Sequence, residues 1–419
     1  MTRSKAYRAV AVKHVDLDAL LASHAGCPAR VGLDISKDEV RAVLRWPEGQ
    51  FERPWRSDNP GQVGALTDLL RRLGQGRALV VALEPTGTYG DALRQALHDA
   101  AVVVHRVSPK VAHDYAEVFD GVPSQHDGKD AAVVAELSAT GKSVVWPFTR
   151  NAADQEMAYW VDRLDQQRRL LAMSYGRLEG LLARHWPEVT RLLPVRSGVL
   201  LRCLERYGSP AAVAADAQAL ERLRRWGGPL LSEAKARSVL ATAATRVGVR
   251  TEAFDVRRLR EHAGQARQVR QDQGVCRRRL AELAVGNAVL TAQASVVGAA
   301  TACVLWVQVG DPRGYGCGAA YRKAMGLNLT ERSSGRWQGG LHISRRGAGE
   351  ARRWLYYAAM RLVRSAGVRG WYEAKKERDG GRAGRALVGV TRKLALALYH
   401  VGVSGEVFDP RRLFAGSAK

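Results

Sequence analysis

Short apolar runs alternate with amphipathic stretches between residues 29 and 146, and this alternation limits the fold more than any other feature of the chain. Two stretches, 61–73 and 89–100, have the spacing of helices, and a further helix is expected to begin near Asp127. Four apolar runs have the length of buried strands, at 31–35, 40–46, 78–83 and 102–107. Strands that alternate with helices predict a layered α/β domain.

The chain changes character after residue 150. From 151 to about 287 the strand-like runs stop, and stretches rich in Arg, Gln, Glu and Leu predict long helices. Leu164, Leu171 and Leu178 recur every seven residues. This spacing fits either a dimerising coiled coil or a helical hairpin packed within one chain.

These patterns predict four parts. They are an N-terminal extension at 1–29, an α/β domain at 30–148, a helical connector at 149–289 that could form a coiled coil, and a compact, basic C-terminal domain at 290–419.

The chain is strongly basic, with 65 Lys and Arg residues against 41 Asp and Glu residues and a formal net charge of +24. Residues 331–419 contain 19 basic and 7 acidic residues, so half of the surplus lies in the last part of the chain. The expected partner is therefore a polyanion, and nucleic acid is the leading one.

The cysteines and the apolar stretches indicate in which cellular compartment the protein is expected. The five cysteines form no Cys-x-x-Cys pair, which argues against a disulfide framework or a zinc knuckle and favours a reducing cytoplasm. No apolar stretch follows the charged first ten residues, so no secretory signal is expected. The uncharged stretch at 283–310 could span a bilayer by length, but Asn287, Gln293 and Gln308 interrupt it. We interpret it as buried helices and expect no membrane association.

Four acidic residues stand at predicted strand ends and at a helix start. Asp34 lies in a short apolar strand, and Glu84 closes another strand. Asp127 and Asp130 are three residues apart, so both project from one face of the predicted helix. Carboxylates from two strand ends and one helix can converge on divalent metal for phosphoryl transfer, and oxygen ligands suit Mg²⁺. This is the arrangement of a metal site in an RNase H-like fold.

The runs around these residues resemble the RuvC-like DEDD domain of a family of insertion-sequence transposases, the bridge-RNA-guided recombinases to which pilin-gene invertases are related. The runs are Gly-Leu-Asp-Ile-Ser-Lys at 32–37, Leu-Glu-Pro-Thr-Gly-Thr-Tyr at 83–89 and Asp-Gly-Lys-Asp at 127–130. Residues 324–347 are similar to the C-terminal domain of the same family, because Ala-Met-Gly-Leu-Asn, Ser-Ser-Gly and Ile-Ser-Arg-Arg-Gly follow one another in that order. The resemblance implies a RuvC-like, RNase H-like α/β domain and a mainly α C-terminal transposase domain.

The resemblance also implies site residues. Asp34, Glu84, Asp127 and Asp130 match the metal-binding carboxylates, with Mg²⁺ as the implied cofactor. In the implied mechanism the metal stabilises charge on the scissile phosphate, and Ser334 attacks to form a phosphoserine link to DNA. That link conserves the phosphodiester energy and permits rejoining to a second DNA.

Three serines are candidates for the nucleophile. Ser334 directly precedes Gly335 and matches the family motif. Ser333 ranks second because a shift of one residue would exchange the two. Ser344 ranks third and is expected to be structural.

Several basic residues are candidates for contact with nucleic acid, because cations neutralise phosphates. They are Arg332, Arg336, Arg345, Arg346, Arg352 and Lys129. The resemblance implies donor and target DNA as partners, a noncoding bridge RNA that pairs with both, and a homo-oligomer that is a dimer or a tetramer. It also implies a bacterial cytoplasmic protein associated with the nucleoid.

The expected function is a DNA transposase or recombinase of an insertion sequence. A site-specific DNA invertase of the same family would use the same strand exchange on differently arranged sites. A metal-dependent RuvC-like nuclease or junction resolvase would cut with water and leave no protein–DNA adduct. The intact carboxylates and serine motif speak against a scaffold without catalysis.

Overall fold

The computed structural model describes residues 8–85, 87–119, 127–146, 148, 151–331 and 339–414. The chain divides into two compact units, Met1–Arg150 and Asn151–Lys419. The first combines a sheet with helices, and the second is mainly helical.

The N-terminal unit is built on a mixed sheet. Its strands are β1 (Val10–Ala11), β2 (Ala29–Ile35), β3 (Glu39–Arg45), β4 (Trp55–Asp58), β5 (Leu79–Leu83), β6 (Val103–Val107) and β7 (Ser143–Val145). Among the described residues they lie in the order β1-β4-β3-β2-β5-β6-β7. Strand β3 runs antiparallel to β2 and β4, whereas β2, β5 and β6 are parallel. The central order β4-β3-β2-β5-β6 is that of an RNase H-like domain, which confirms the predicted fold class.

Helices cover both faces of this sheet. They are α1 (Leu17–Ser23), α2 (Val63–Leu73), α3 (Asp91–Asp99), α4 (Pro109–Phe119) and α5 (Asp127–Ala139). Leu70 of α2 and Leu97 of α3 share a core with Val31 of β2. Val133 of α5 packs with Ala82 of β5 in a second cluster. Strands β2 and β5 are therefore buried on both sides, which is why they consist almost wholly of apolar residues.

Residues 10–23 differ from the expected separate extension. Strand β1 pairs in parallel with β4, with Val10 opposite Trp55. Val12 and Leu17 are buried in the main core of the sheet. The added strand covers an edge that β4 would otherwise expose. The α/β unit therefore begins before residue 29.

The C-terminal unit contains long and short helices and one small hairpin. Its helices are α6 (Ala152–His185), α7 (Val189–Leu192), α8 (Gly198–Tyr207), α9 (Pro210–Ala215), α10 (Ala219–Gly227), α11 (Glu233–Ala244), α12 (Ala253–Val285), α13 (Ala288–Val297), α14 (Ala299–Val309), α15 (Gly318–Ala324), α16 (Gly349–Leu362), α17 (Ala366–Arg378), α18 (Ala383–Ser404) and α19 (Pro410–Phe414). The hairpin consists of β8 (Leu329–Thr330) and β9 (His342–Ile343).

The leucines of the seven-residue repeat pack within the chain. Leu164 and Leu178 are buried, and Leu171 is partly buried. Helix α12 covers this side of α6, and the guanidinium of Arg279 donates to both carboxylate oxygens of Glu156 at 2.6 and 3.0 Å. Within one chain, the described residues of α6 and α12 form a helical hairpin that buries these leucines.

The uncharged stretch at 283–310 forms the end of α12 together with α13 and α14. Asn287 caps α13 and Gly298 separates the two short helices, so neither is long enough to cross a bilayer. Leu290 and Leu305 are fully buried. This confirms the interpretation as buried helices. One described helix, α18, is long and apolar enough to cross a membrane, but 56% of its most apolar stretch is buried inside the unit.

Candidate active site

Two of the expected carboxylates lie side by side at the edge of the N-terminal sheet. Strands β2 and β5 pair in parallel with Leu33 opposite Leu83. Asp34 and Glu84 are the next residues along these strands, and the carboxyl ends of parallel strands meet at one edge of a sheet. Both residues are partly buried.

Gly32 brings the third element to the same place. A Cβ atom on Gly32 would lie 2.0 Å from the carbonyl oxygen of Ala131 and 2.4 Å from the amide nitrogen of Ala135. The backbone of α5 therefore crosses directly over β2, two residues before Asp34, and only glycine permits this approach. Asp130 adjoins the contact. Asp127 begins α5, but its side chain lies outside the described part of the structure.

The electrostatics of Glu84 show that the carboxylates are close. Burial raises the pKa of Glu84 above its usual value, and the negative charges of Asp34 and Asp130 raise it further. The imidazole of His113 in α4 acts in the opposite direction and lowers this pKa. Three of the four expected carboxylates thus lie within electrostatic reach of one another.

The donor set fits a hard divalent cation in its chemistry, because it offers only carboxylate oxygens and an accumulated negative charge. Among the side chains that the structure describes, no group of three Asp, Glu, His or Cys residues is close enough to enclose a metal ion. The side chain of Asp127 is not among these described side chains.

Two cations lie beside these carboxylates, Lys129 next to Asp130 in the sequence and Arg41 opposite Asp34 in the sheet. Lys129, a candidate for contact with nucleic acid, is buried with 2% of its surface exposed. This burial leaves little of the side chain exposed to a phosphate, and its contact with nucleic acid stays a prediction. Arg41, which the sequence analysis missed, lies directly opposite Asp34 in the β2–β3 register.

The sequence contains a signal that could predict the position of Arg41 beside Asp34, but none that could predict His113 near Glu84. The tight turn at residues 36–38 fixes the hairpin register, so the sequence contained a signal for Arg41. His113 lies on a helix 29 positions after Glu84, and no sequence pattern connects the two.

The expected nucleophile lies outside the described residues. Arg332, Ser333, Ser334 and Arg336 all belong to positions 332–338, which fall between β8 and β9 in sequence. Those two strands pair antiparallel, with Leu329 opposite Ile343 and Thr330 opposite His342.

A basic groove lies beside this hairpin. It encloses about 880 Å³ between the hairpin and helices α17 and α18. Its cationic lining residues are Arg345, Lys375, Arg385 and Arg392. Lys375 is paired with Asp379, whereas Arg345 and Arg385 are exposed. The groove can therefore accept an anionic chain such as a DNA strand.

The arginines around the groove have unequal roles. Arg345 and Arg346 are exposed, as contact with nucleic acid requires. Arg352 instead donates to the carbonyl oxygen of Met325 at 2.8 Å, and burial together with the charge of Arg345 lowers its pKa. Arg392 donates to the carbonyl oxygen of Leu327 at 2.9 Å. Arg352 and Arg392 thus hold the turn at residues 325–327 from two sides.

Ser344 connects the hairpin to that turn. Its hydroxyl group bonds to the side chain of Asn328, and its amide donates to the Asn328 carbonyl oxygen at 2.8 Å. These contacts give Ser344 a structural part in the fold.

Comparison with known proteins gives matches in both units. Residues 31–187 match a DEDD model of IS110 type that is described as a transposase, and residues 290–373 match the Transposase IS116/IS110/IS902 family. No curated protein matches the chain. Among solved structures, RuvC of T. thermophilus in complex with a Holliday junction substrate aligns at 14% identity and a TM-score of 0.23, covering 28% of this chain and 99% of that one.

Proposed function

Because the chain carries two transposase domains of the IS110 family, we propose that it cuts and rejoins DNA through a covalent link between Ser334 and a DNA phosphate. The family supports a DNA-cutting transposase, and the proposal adds the chemical route.

The observation that carries the proposal is that three carboxylates lie around one sheet edge, within electrostatic reach of one another. Asp34, Glu84 and Asp130 come from three elements, and burial first, then repulsion from Asp34 and Asp130, raises the pKa of Glu84. Such repulsion is unfavourable in the absence of a cation, and perturbed groups of this kind cluster at functional sites. Asp34, Glu84, Asp127 and Asp130 would hold Mg²⁺, which supplies stabilisation for the charge that develops during phosphoryl transfer.

The proposed serine step balances as a phosphodiester exchange. The Ser334 hydroxyl oxygen forms a bond to phosphorus, the bond from phosphorus to one deoxyribose oxygen breaks, and the serine proton ends on that leaving oxygen. One phosphodiester replaces another, so little free energy is lost. Attack by the hydroxyl group of a second DNA end then releases the serine and joins the two DNAs.

The basic groove of the C-terminal unit supports DNA as the bound partner. Arg345 and Arg385 are exposed on it, and positions 332–338 fall between the two strands that line it. Guanidinium groups that contact phosphate carry no sequence information by themselves. We therefore propose that a bridge RNA selects the donor and target DNA. We also propose that the protein acts as a homo-oligomer in the bacterial cytoplasm. Detection of RNA that co-purifies with the protein tests the bridge RNA, and the mass from light scattering tests the homo-oligomer.

The test is strand exchange on DNA that carries the junction of the element, with Mg²⁺ and any co-purifying RNA retained. Ser334→Ala and Asp34→Asn are expected to abolish exchange while DNA binding persists. The matched controls are Ser333→Ala and Asp38→Asn, which remove a neighbouring hydroxyl group and a neighbouring carboxylate and are expected to retain exchange. Full exchange by Ser334→Ala would overturn the serine assignment.

A metal-dependent nuclease is the second candidate, because the carboxylate cluster lies within one unit and needs no serine to activate water. In that case Ser334→Ala still yields cut DNA, the ends are hydrolysed, and Asp34→Asn alone is inactive. Inversion instead of transposition gives the same results as the serine proposal and differs in the orientation of the DNA sites.

A further inference from the structure

Helices α7 to α11 form a helical subdomain with its own core. Leu182 of α6, Trp186 directly after α6, Leu200 of α8 and Leu259 of α12 belong to this core. The other halves of α6 and α12 contribute Leu164 and Leu280 to the core of the C-terminal helices. On α12 the first core reaches Ala266 and the second begins at Cys276, so the two cores are separated by about 15 Å along this helix.

Neither family match covers this subdomain. The first match ends at residue 187 and the second begins at residue 290, so neither match assigns a function to residues 188–289. A function for this segment has to be found in its own surface.

A row of arginines follows the line where α8 packs against α12. We call it the arginine seam, and it consists of Arg196, Arg202, Arg206, Arg260, Arg267 and Arg270. Arg202 and Arg206 lie on successive turns of α8 and are exposed. Arg260 to Arg270 extend along α12 for about 15 Å.

Backbone carbonyl groups hold two of these arginines in place without neutralising them. Arg260 donates to the carbonyl oxygens of Arg206 and Tyr207, each at 3.3 Å. Arg270 donates to the carbonyl oxygen of Arg196 at 3.1 Å. A carbonyl partner fixes the guanidinium but carries no net charge, so the positive charge remains available to an anion.

Few carboxylates oppose the seam. Glu205 pairs with Arg267 inside it. Asp216 approaches Arg206 but is held by Arg222 and by the hydroxyl group of Tyr207. The seam therefore keeps a positive excess, unlike the neighbouring helix α11, where Arg237 is paired with Glu233 at 2.7 Å.

A cleft with an aromatic wall opens on the same surface. It encloses about 370 Å³ and is lined by Arg202, Glu205, Arg206, Trp226 and Arg267. The indole of Trp226 is partly exposed and meets the ring of Tyr207 edge to face, with centroids 6.4 Å apart. An aromatic face among arginines suits the sugar or base that accompanies a phosphate.

We propose that the arginine seam binds the phosphodiester backbone of nucleic acid outside the two transposase domains. Duplex DNA carries one negative charge per about 1.7 Å of axis when both strands are counted, so a 15 Å seam spans a length of duplex that carries roughly nine phosphates. The subdomain then anchors nucleic acid at a distance from the basic groove and does no chemistry. This inference does not depend on the serine mechanism, since it concerns binding alone.

The test measures binding of the full-length chain to a 40-base-pair duplex of arbitrary sequence at several salt concentrations. The triple variant Arg202→Gln, Arg206→Gln, Arg270→Gln is expected to bind about 10- to 100-fold more weakly at low salt. Its slope of log affinity against log salt should fall by about 2.7, which is 0.9 for each of three lost contacts. Circular dichroism and thermal unfolding check that the variant is folded.

The matched control removes three positive charges from the same subdomain but away from the seam, as Arg224→Gln, Lys235→Gln, Arg237→Gln. The proposal predicts a near-normal salt slope for this control. Equal losses in both triple variants would overturn it, because binding would then follow net charge alone.

Two further measurements complete the test. The same titration with a 40-nucleotide RNA identifies the source of the phosphates, since the seam variant should lose affinity for whichever nucleic acid the seam holds. Unchanged affinity for both probes overturns the proposal. Arginine modification by phenylglyoxal in the unaltered chain needs no variant, and bound nucleic acid should protect Arg202 and Arg206. Full reactivity of both in the complex contradicts the proposal.

Discussion

An alanine at position 32 tests whether the close approach of α5 to β2 builds the carboxylate site. The Cβ atom of Gly32→Ala would meet helix backbone at 2.0 and 2.4 Å, and backbone cannot rotate away as a side chain can. Ordinary contact begins at 3.4 Å, so α5 has to retreat by about 1.4 Å, the difference between 3.4 and 2.0 Å.

Two effects of that retreat can be estimated. Overpacking costs about 1 to 3 kcal/mol, and contact with backbone places this substitution at the upper end. We expect the free energy of unfolding of the N-terminal unit to fall by about 3 kcal/mol and its midpoint by about 6 to 12 °C. Asp130 moves away from Asp34 and Glu84 with the helix, and a misplacement of about 1 Å can cost 100-fold in rate.

Calorimetry measures the change in stability. The change in rate is measured as protein–DNA adduct formation, at a temperature below the unfolding midpoints of both the variant and the natural chain. Gly64→Ala in α2 is the matched control, because a Cβ atom there meets nothing within 4 Å. The control should be as stable as the natural chain or more so, by up to about 1 kcal/mol, since alanine favours a helix. If Gly32→Ala has the unfolding midpoint and the rate of the natural chain, the account of the site is refuted.

Three further predictions concern single side chains. The raised pKa of Glu84 means that the folded state favours its protonated form, so stability without metal should fall as the pH rises from 4.5 through the raised pKa and stay lower above it. At pH 7 in EDTA, Glu84→Gln should therefore unfold at a higher temperature than the natural chain, and at pH 4 the two should unfold alike. Added Mg²⁺ should raise the unfolding temperature of the natural chain but hardly that of Glu84→Gln. An equal rise in both would argue against the metal site. Leu178→Ala should lose about 2 to 5 kcal/mol by calorimetry with no change of mass in light scattering, whereas the exposed Met173→Ala should change stability little; dissociation of an oligomer by Leu178→Ala would instead favour a coiled coil between chains. Ser344→Ala should cost about 1 kcal/mol through the lost bond to Asn328 and retain adduct formation, and an inactive but folded variant would contradict its structural role.

The strands and their terminal carboxylates could be predicted because the signal is local. The expected strand at 78–83 corresponds to β5 at Leu79–Leu83, and the expected helix at 89–100 corresponds to α3 at Asp91–Asp99. Asp34 and Glu84 follow from these positions, since each stands at the end of an apolar run. The role of Gly32 was not predictable, because the atoms that require a glycine belong to Ala131 and Ala135, about a hundred positions later.

The basic residues show the limit of composition. Their number predicts a polyanion, but the sequence does not say which charges are already engaged. Lys129 is buried and Arg352 is held by a carbonyl group, while Arg345 and Arg346 remain exposed. The seven-residue repeat is limited in the same way, because it reports a buried stripe on α6 and does not identify the helix that covers it.

The most direct test of the central claim is to map a covalent protein–DNA adduct by mass spectrometry after incubation with a nicked suicide substrate, Mg²⁺ and co-purifying RNA. We expect a nucleotide on Ser334 that requires divalent metal and is absent in Asp34→Asn and in Ser334→Ala. Hydrolysed DNA ends without any adduct, still dependent on Asp34, would contradict it.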